Sequence, residues 1–295
     1  MNDKTNKPPP QRSIFGILIA VLLGGGLAMA GSQASVIWNS YPAFAIAAVL
    51  AYGIQWLAFI PAYLSQSERY YDLIGSLTYL SVTWFAFSVS RDAYSMLLTV
   101  LISLWAVRLG SFLFLRIRDA GSDRRFDRIK PFFFRFLMTW TLQGLWVLLT
   151  AGAALAAMTS AGDREFNLFT FAGAVIWLGG FAIEVTADRQ KREFRKDPAN
   201  SGAFIRGGLW SWSRHPNYFG EIVLWSGIAI IAFPALQGWQ TLTLVSPLFV
   251  FLLLTRVSGI PMLEAHAKKR WGEDPEYQQY RAQTSRLLLR PPNVR

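Results

Sequence analysis

Ser13–Ser67 reads SIFGILIAVLLGGGLAMAGSQASVIWNSYPAFAIAAVLAYGIQWLAFIPAYLSQS and contains no Asp, Glu, Lys or Arg. Crossing the hydrocarbon core of a bilayer takes about 20 mostly apolar residues. The run is therefore long enough for two spans, divided at the polar segment Gly31–Ser40. Working outward, Leu73–Ser90, Phe136–Gly162, Phe166–Ile183 and Ile222–Thr255 are also free of charge, and Ala93–Leu115 holds only Arg108. The last long run divides at Pro234–Gln240, where Pro and Gly break a helix. Spans are thus predicted near 14–30, 42–63, 72–89, 93–115, 132–158, 167–187, 219–233 and 240–257. The seventh is short and reads as tilted or partly re-entrant.

Only 16% of the 295 residues are charged, where a soluble domain carries about a quarter. Core helices of a large soluble protein would also be apolar, but five separate uncharged runs and a sixth with the single charge Arg108 exceed what such a core needs. The expected fold class is an all-α polytopic membrane bundle of seven or eight transmembrane helices with cytoplasmic termini. Lys4, Lys7 and Arg12 precede the first run, and Met29-Ala30-Gly31-Ser32 would suit a signal peptidase. A first span is preferred because loop charges then alternate. With the N-terminus inside, the outer loops near 31–41, 89–92, 159–166 and 234–239 hold two basic residues, Arg91 and Arg164. Setting aside Arg108 within its span, the other 26 of the 29 Lys and Arg face the cytoplasm, as the positive-inside rule requires. The net charge of +11 then reflects topology and contact with anionic membrane lipids, and a nucleic-acid partner is not indicated.

Cysteine is absent, so disulfides and thiolate chemistry are excluded, and His215 and His266 lack metal-ligand spacing, so no metal site is expected. No Walker-A motif or dinucleotide-binding glycine motif is present, and Gly24-Gly25-Gly26 reads as a site of close helix packing. Three cytoplasmic segments could carry chemistry. Arg116–Lys130, with six basic residues and three Asp, also reads as an ordinary inner loop. Glu184, Asp188, Arg192 and Arg195 are spaced to share one helix face. They could pair with one another, or line a cleft in which carboxylates bind ribose or adenine and guanidiniums grip phosphate. The third segment is Gly207-Gly208-Leu209-Trp210-Ser211-Trp212-Ser213-Arg214-His215-Pro216-Asn217-Tyr218-Phe219-Gly220-Glu221. Paired glycines admit a close backbone approach, Pro216 suits a first helical turn, and Asn217 and Glu221 would share a face. Interfacial anchoring explains the aromatic residues of this run, but not Arg, His, Asn and Glu together.

Phe194-Arg195-Lys196, Gly207–Trp210 and Arg214–Glu221, with Ser258–Glu264 and Tyr277–Tyr280, resemble the steroid 5-alpha-reductase C-terminal-like superfamily, and most closely its bacterial-type branch of unknown function. Trp105–Gly110 and Asp123-Arg124-Arg125-Phe126 extend the resemblance over roughly residues 50–290. It implies an integral membrane reductase that takes hydride from NADPH to reduce a double bond in a hydrophobic steroid, sterol or enone lipid. It further implies a cofactor site of Asp188, Arg192, Arg195, Asn217, Glu221 and Arg256, with Arg214, His215 and Tyr218 from the same signature and Glu184 where the family has Asn. The Gln-Glu pair of steroid reductases is missing. Asp72, Ser76 and Tyr79 share one face of the third span, so Tyr79 is the candidate proton donor, Asp72 its modulator, and Gln55 a buried alternative. Helix-packing hydrogen bonds would use the same residues.

The Arg-His-Pro-x-Tyr-x-Gly signature also resembles that of isoprenylcysteine carboxyl-type methyltransferases, where it helps hold S-adenosylmethionine. A non-catalytic lipid-binding or transport protein is the third alternative. The expected organisation is a cytoplasmic tail (1–12), N-terminal substrate-side spans (13–130) and a C-terminal reductase-like domain with the cofactor cleft (131–295). The membrane would be the plasma membrane in a bacterium and the endoplasmic reticulum in a eukaryote.

Overall fold

A computed structural model of the chain describes residues 10–292 except 124 and 163. Lys4, Lys7 and Arg124, singled out above, lie outside the described residues. Among the described residues, eight helical stretches are long and apolar enough to cross a membrane, and the strands amount to one two-stranded hairpin, Ile37–Trp38 with Tyr41–Pro42. The protein is an all-α, multi-pass membrane protein. Its described residues form two compact units, 1–166 with 232–245 and 167–231 with 246–295.

The first unit contains α1 (Pro10–Ser32), α2 (Ala43–Leu64), α3 (Tyr71–Ser90), α4 (Ala93–Ala120) and α5 (Phe133–Thr159). Helix α5 is its axis. The run Ala151-Gly152-Ala153-Ala154 is buried without gaps, and such small side chains let neighbouring backbones approach closely. A Cβ on Gly24 of α1 would overlap the Tyr52 hydroxyl, which donates to the Ala20 carbonyl at 2.7 Å. Gly24 is therefore a packing glycine, while Gly25 and Gly26 meet open space. Other positions on α1, such as Phe15, Leu22 and Met29, are exposed, as lipid-facing side chains must be. The hairpin closes the polar segment between α1 and α2, and Val36 donates to the Thr159 carbonyl at 2.8 Å. At the start of α4, Asp92 accepts from the Ser95 backbone at 2.7 Å and pairs with Arg164 at 2.8 Å.

Several predicted boundaries move. Helix α4 runs beyond 115 and takes Arg116 and Arg118 into its last turns. In the rest of the Arg116–Lys130 loop Phe126 turns inward, buried against Phe59, Tyr71, Phe136 and Trp140. The eighth span is not one α-helix. Gly238–Val245 is a 3-10 helix in the first unit, Ser246–Leu252 is α8, and Leu253–Val257 is a π-helical turn. Gln240 causes part of this by donating to the Gly31 carbonyl at 3.0 Å.

The second unit contains α6 (Leu168–Lys196), α7 (Pro216–Ala232), α8, α9 (Ile260–Trp271) and α10 (Pro275–Gln283). Asn167 and Thr170 form a capping box at the start of α6, which satisfies donors that a helix end would otherwise leave open. Helices α6 and α7 meet through four glycines. A Cβ on Gly173 or Gly227 would stand 2.6 Å from the other glycine's carbonyl oxygen, and one on Gly180 or Gly220 would do the same. No side chain larger than hydrogen fits there, so the two backbones touch. This contact brings the last turns of α6 beside the first turn of α7.

Candidate cofactor site

Beyond Gly180, α6 carries Glu184 and Asp188, both buried, and then Arg192 and Arg195, both exposed. The predicted ladder is thus one helix face that passes from protein interior to solvent. Asn217, in the first turn of α7, donates through its side-chain amide to Asp188 at 3.1 Å. The two polar segments singled out in the sequence are therefore joined, 29 residues apart along the chain.

The loop between α6 and α7 is clamped onto α6. Gly208 adopts a left-handed conformation at φ +61° with the Gln190 side chain packed against it, and Gln190 accepts from the Leu209 backbone at 3.0 Å. A Cβ at that position would meet both penalties, backbone strain and the Gln190 amide. Trp210 is buried, donates to the Ala187 carbonyl at 3.0 Å, and lies under the Lys191 ammonium at 4.6 Å from its ring centre. Residues further along hold the other side of the loop. Arg214 donates from its backbone to the Ser285 carbonyl at 2.8 Å, Ser213 donates to the Leu287 carbonyl at 2.8 Å, and Arg290 donates to the Trp212 carbonyl at 3.1 Å.

Glu264 on α9 stands at the centre of this arrangement. Its carboxylate accepts from Arg214 at 2.9 Å and from His215 Nε2 at 3.0 Å, and Arg281 is 3.6 Å away. Burial holds the His215 imidazole below its usual range, against the opposing pull of Glu264. The ring stacks on Tyr218 at 5.8 Å. Sequence patterns did not single out Glu264 because Arg214 and His215, which it joins, are about 50 residues distant. The only signal was its place in the Ser258–Glu264 stretch.

A cavity of about 770 Å³ opens among these residues. Lys191, Arg195, Arg214, His215 and Glu264 line it on one side, and Phe204, Trp271, Tyr277 and Tyr280 supply aromatic walls. Of the predicted cofactor residues, Arg195, Arg214 and His215 reach this cavity; Glu184, Asp188, Arg192, Asn217, Tyr218, Glu221 and Arg256 are not among its lining. Arg256 is exposed on the π-helical turn, and Arg286 donates to the neighbouring Thr255 carbonyl at 3.4 Å.

The family model described as "Protein of unknown function (DUF1295)" matches residues 58–284. The chain belongs to that family. It is the steroid 5-alpha-reductase-like family, and its matched region takes in every cavity residue named above. Among curated proteins, a probable O-methyltransferase of Ustilaginoidea virens is 27% identical over 46% of this chain and 45% of its own. The 3-oxo-5-alpha-steroid 4-dehydrogenase 1 of Bos taurus is 41% identical over 23% of this chain and 26% of its own. An uncharacterized protein of Schizosaccharomyces pombe is 23% identical over 55% and 56% of the two chains. The chain thus spans between a quarter and a little over half of these relatives. No solved structure matches.

The three substrate-side candidates of this family member lie in the first unit. Gln55 is fully buried and donates to Thr78 at 2.8 Å. Asp72 faces Arg116 at 3.7 Å. Tyr79 packs edge-on against Trp105 at 5.0 Å, and its hydroxyl lies 3.5 Å from the Trp146 carbonyl. Ser76 donates to the backbone of Asp72 at 3.2 Å.

Proposed function

We propose that the protein is an NADPH-dependent membrane reductase acting on a carbon–carbon double bond of a hydrophobic, steroid-like or enone-lipid molecule. The observation that carries this reading is the cavity of about 770 Å³, which combines cations with aromatic walls; the Asp188–Asn217 pair, outside its lining, ties α6 to the first turn of α7. Guanidiniums and an ammonium match phosphates, and flat rings match a base. The chemical character of the lining therefore fits a phosphorylated dinucleotide. Family membership and the steroid dehydrogenase relative support the same choice.

In this reading Lys191, Arg195 and Arg214 hold the phosphates, and Asp188 binds ribose or adenine. Asn217 and Glu221, one turn apart on α7, orient the nicotinamide half. NADPH, when bound, supplies the hydride. The substrate's lipid character follows from the apolar surroundings of the spans. Tyr79 would donate a proton or hydrogen bond to the substrate carbonyl, with Asp72 modulating it and Gln55 as the other polar group at hand. The substrate enters from the bilayer, in the plasma membrane of a bacterium or the endoplasmic reticulum of a eukaryote.

A second reading has its own support. The probable O-methyltransferase aligns over twice the share of this chain that the steroid dehydrogenase does, and an adenosine-binding cavity would also accept S-adenosylmethionine. Thermal stability in detergent separates the two. A ligand at 100 times its dissociation constant stabilises by about 2.7 kcal/mol. We expect NADPH to raise the melting temperature, and Asn217→Ala and Glu221→Ala to diminish that rise. Stabilisation by S-adenosylmethionine alone would overturn the reductase reading, and a response to neither would favour a lipid-binding or transport role.

A further inference from the structure

His215 and Glu264 are more than two members of a cavity wall. An ionised carboxylate can only accept hydrogen bonds, and Arg214 at 2.9 Å favours that ionised form. The 3.0 Å contact from His215 Nε2 to Glu264 Oε1 therefore requires the proton on Nε2. Nδ1 of the neutral ring keeps its lone pair and makes no hydrogen bond among the described residues. The same carboxylate fixes the Arg214 guanidinium through its other oxygen, so one residue sets the orientation of two cavity-lining groups. Arg214 is held from behind as well, since its backbone N–H donates to Ser285.

We propose that Glu264 is the positioning residue of this site: it locks His215 as the Nε2–H tautomer, so that Nδ1 accepts from a ligand hydroxyl or amine while Arg214 faces the ligand's anionic group. The ligand half of this statement rests on the cofactor reading of the cavity, and the tautomer half does not. A neutral acceptor beside a guanidinium recognises a phosphorylated nucleoside, whose ribose and base carry O–H and N–H donors next to negative charge. A second cation at that position would bind phosphate indiscriminately. The neutral imidazole adds the directional element.

The chain has two histidines, so ¹⁵N-histidine spectra of the whole protein in detergent resolve each ring, and His266→Gln assigns them. At neutral pH the ligand-free protein should show His215 as Nε2–H, and Glu264→Ala should give a mixture of tautomers. With whichever of NADPH and S-adenosylmethionine stabilises the wild type, Glu264→Ala should bind about tenfold more weakly, about 1.4 kcal/mol. Glu264→Gln has one acceptor oxygen where the carboxylate has two; Arg214 and Arg281 take it, so the amide N–H faces Nε2 and should turn His215 to the Nδ1–H tautomer, with binding weakened as in Glu264→Ala. Glu264→Gln also removes the negative charge that opposes burial, Lys191 and Arg214 at His215, and should move the imidazole titration to lower pH. That shift decides the matter if Glu264→Ala does not fold. An unchanged tautomer in Glu264→Ala, an unchanged titration in Glu264→Gln, or binding indifferent to both substitutions would each overturn the proposal.

Discussion

Glu68 lies in the short turn between α2 and α3, yet only 5% of it is exposed. Its carboxylate accepts from the Lys130 ammonium at 2.8 Å and from the Asp123 backbone at 2.9 Å. Burial alone would raise its pKa, but these donors outweigh burial and hold the group below the usual carboxylate range. Asp123, bonded to Arg125, is held low in the same way. Glu68→Ala should therefore loosen the 116–130 loop, at a cost of about 1–3 kcal/mol for the donors left without an acceptor. Faster tryptic cleavage in that loop, at unchanged helix content by circular dichroism, is the expected result. The sign of the pH dependence follows from a depressed folded-state pKa: this stabilisation is present above the unfolded carboxyl value of about 4.3 and disappears as pH falls through the folded value. Melting curves between neutral and acid pH should show the decline in wild type and a flatter profile in Glu68→Ala.

Arg195 belongs to the same scale. It lies in the cavity lining, near Lys191, where an adenosine 2′-phosphate would find its counter-charge. A guanidinium–phosphate hydrogen bond contributes about 1.5–3 kcal/mol, so Arg195→Ala should weaken NADPH about tenfold or more and leave NADH nearly unchanged. Equal loss for both nucleotides, measured by titration, would place Arg195 on the shared pyrophosphate instead. Residue types and spacing placed Arg195 on one helix face with Asp188, because a helical face repeats every three to four positions, and the structure puts it in the cavity lining. Glu264 was not legible in that way, since no periodicity connects α9 to the loop before α7.

At the scale of elements, charge-free runs located the spans because an ionised side chain in hydrocarbon costs several kcal/mol. They could not show how the eighth run breaks. Three helical types succeed one another between Gly238 and Val257, set by tertiary contacts such as Gln240 to Gly31 that hydropathy does not record. The seventh run, too short on the sequence count, gains a turn at its start because Pro216 and Asn217 are already helical. The glycine contacts of α6 and α7 give a sharper expectation. Gly220→Val would place methyl groups against the Gly180 carbonyl and the Glu184 backbone, within about 3 Å of each. Overpacking of this kind costs about 1–3 kcal/mol and would separate Asp188 from Asn217. Cofactor-dependent stabilisation should vanish in Gly220→Val, whereas Gly179→Ala, at a position with open space around it, should leave it unchanged.

For the molecule as a whole, the distribution of basic residues fixes an orientation. If Arg91 and Arg164 lie in outer loops and 26 other Lys and Arg lie inside, eight spans would place both termini in the cytoplasm. Reporter fusions at Asn2 and at Arg295 should give the same cytoplasmic signal. Opposite signals would mean that one stretch, the first or the seventh by length and composition, does not cross. The polar segments near 116–130, 184–221 and 256–290 then share the cytoplasmic side, where soluble nucleotides are found. The sequence gives an expectation for that side, because the positive-inside rule depends on a summed charge bias. The partners of each charge needed coordinates.

The hydrogen bonds that join Ser285, Leu287 and Arg290 to residues 212–214 also bear on how the protein is made. Ribosomes release the Arg214-His215 loop and all of α7–α10 before they reach these partners, so the loop enters the membrane environment with its amides and carbonyls unfilled. Its final shape is set after translation has passed the last helix, and a chain interrupted anywhere before residue 285 inserts its spans with that loop unfinished. For expression work, a protease trimming this stretch would produce a protein of near-normal size and helicity that has lost the backing of the loop before α7.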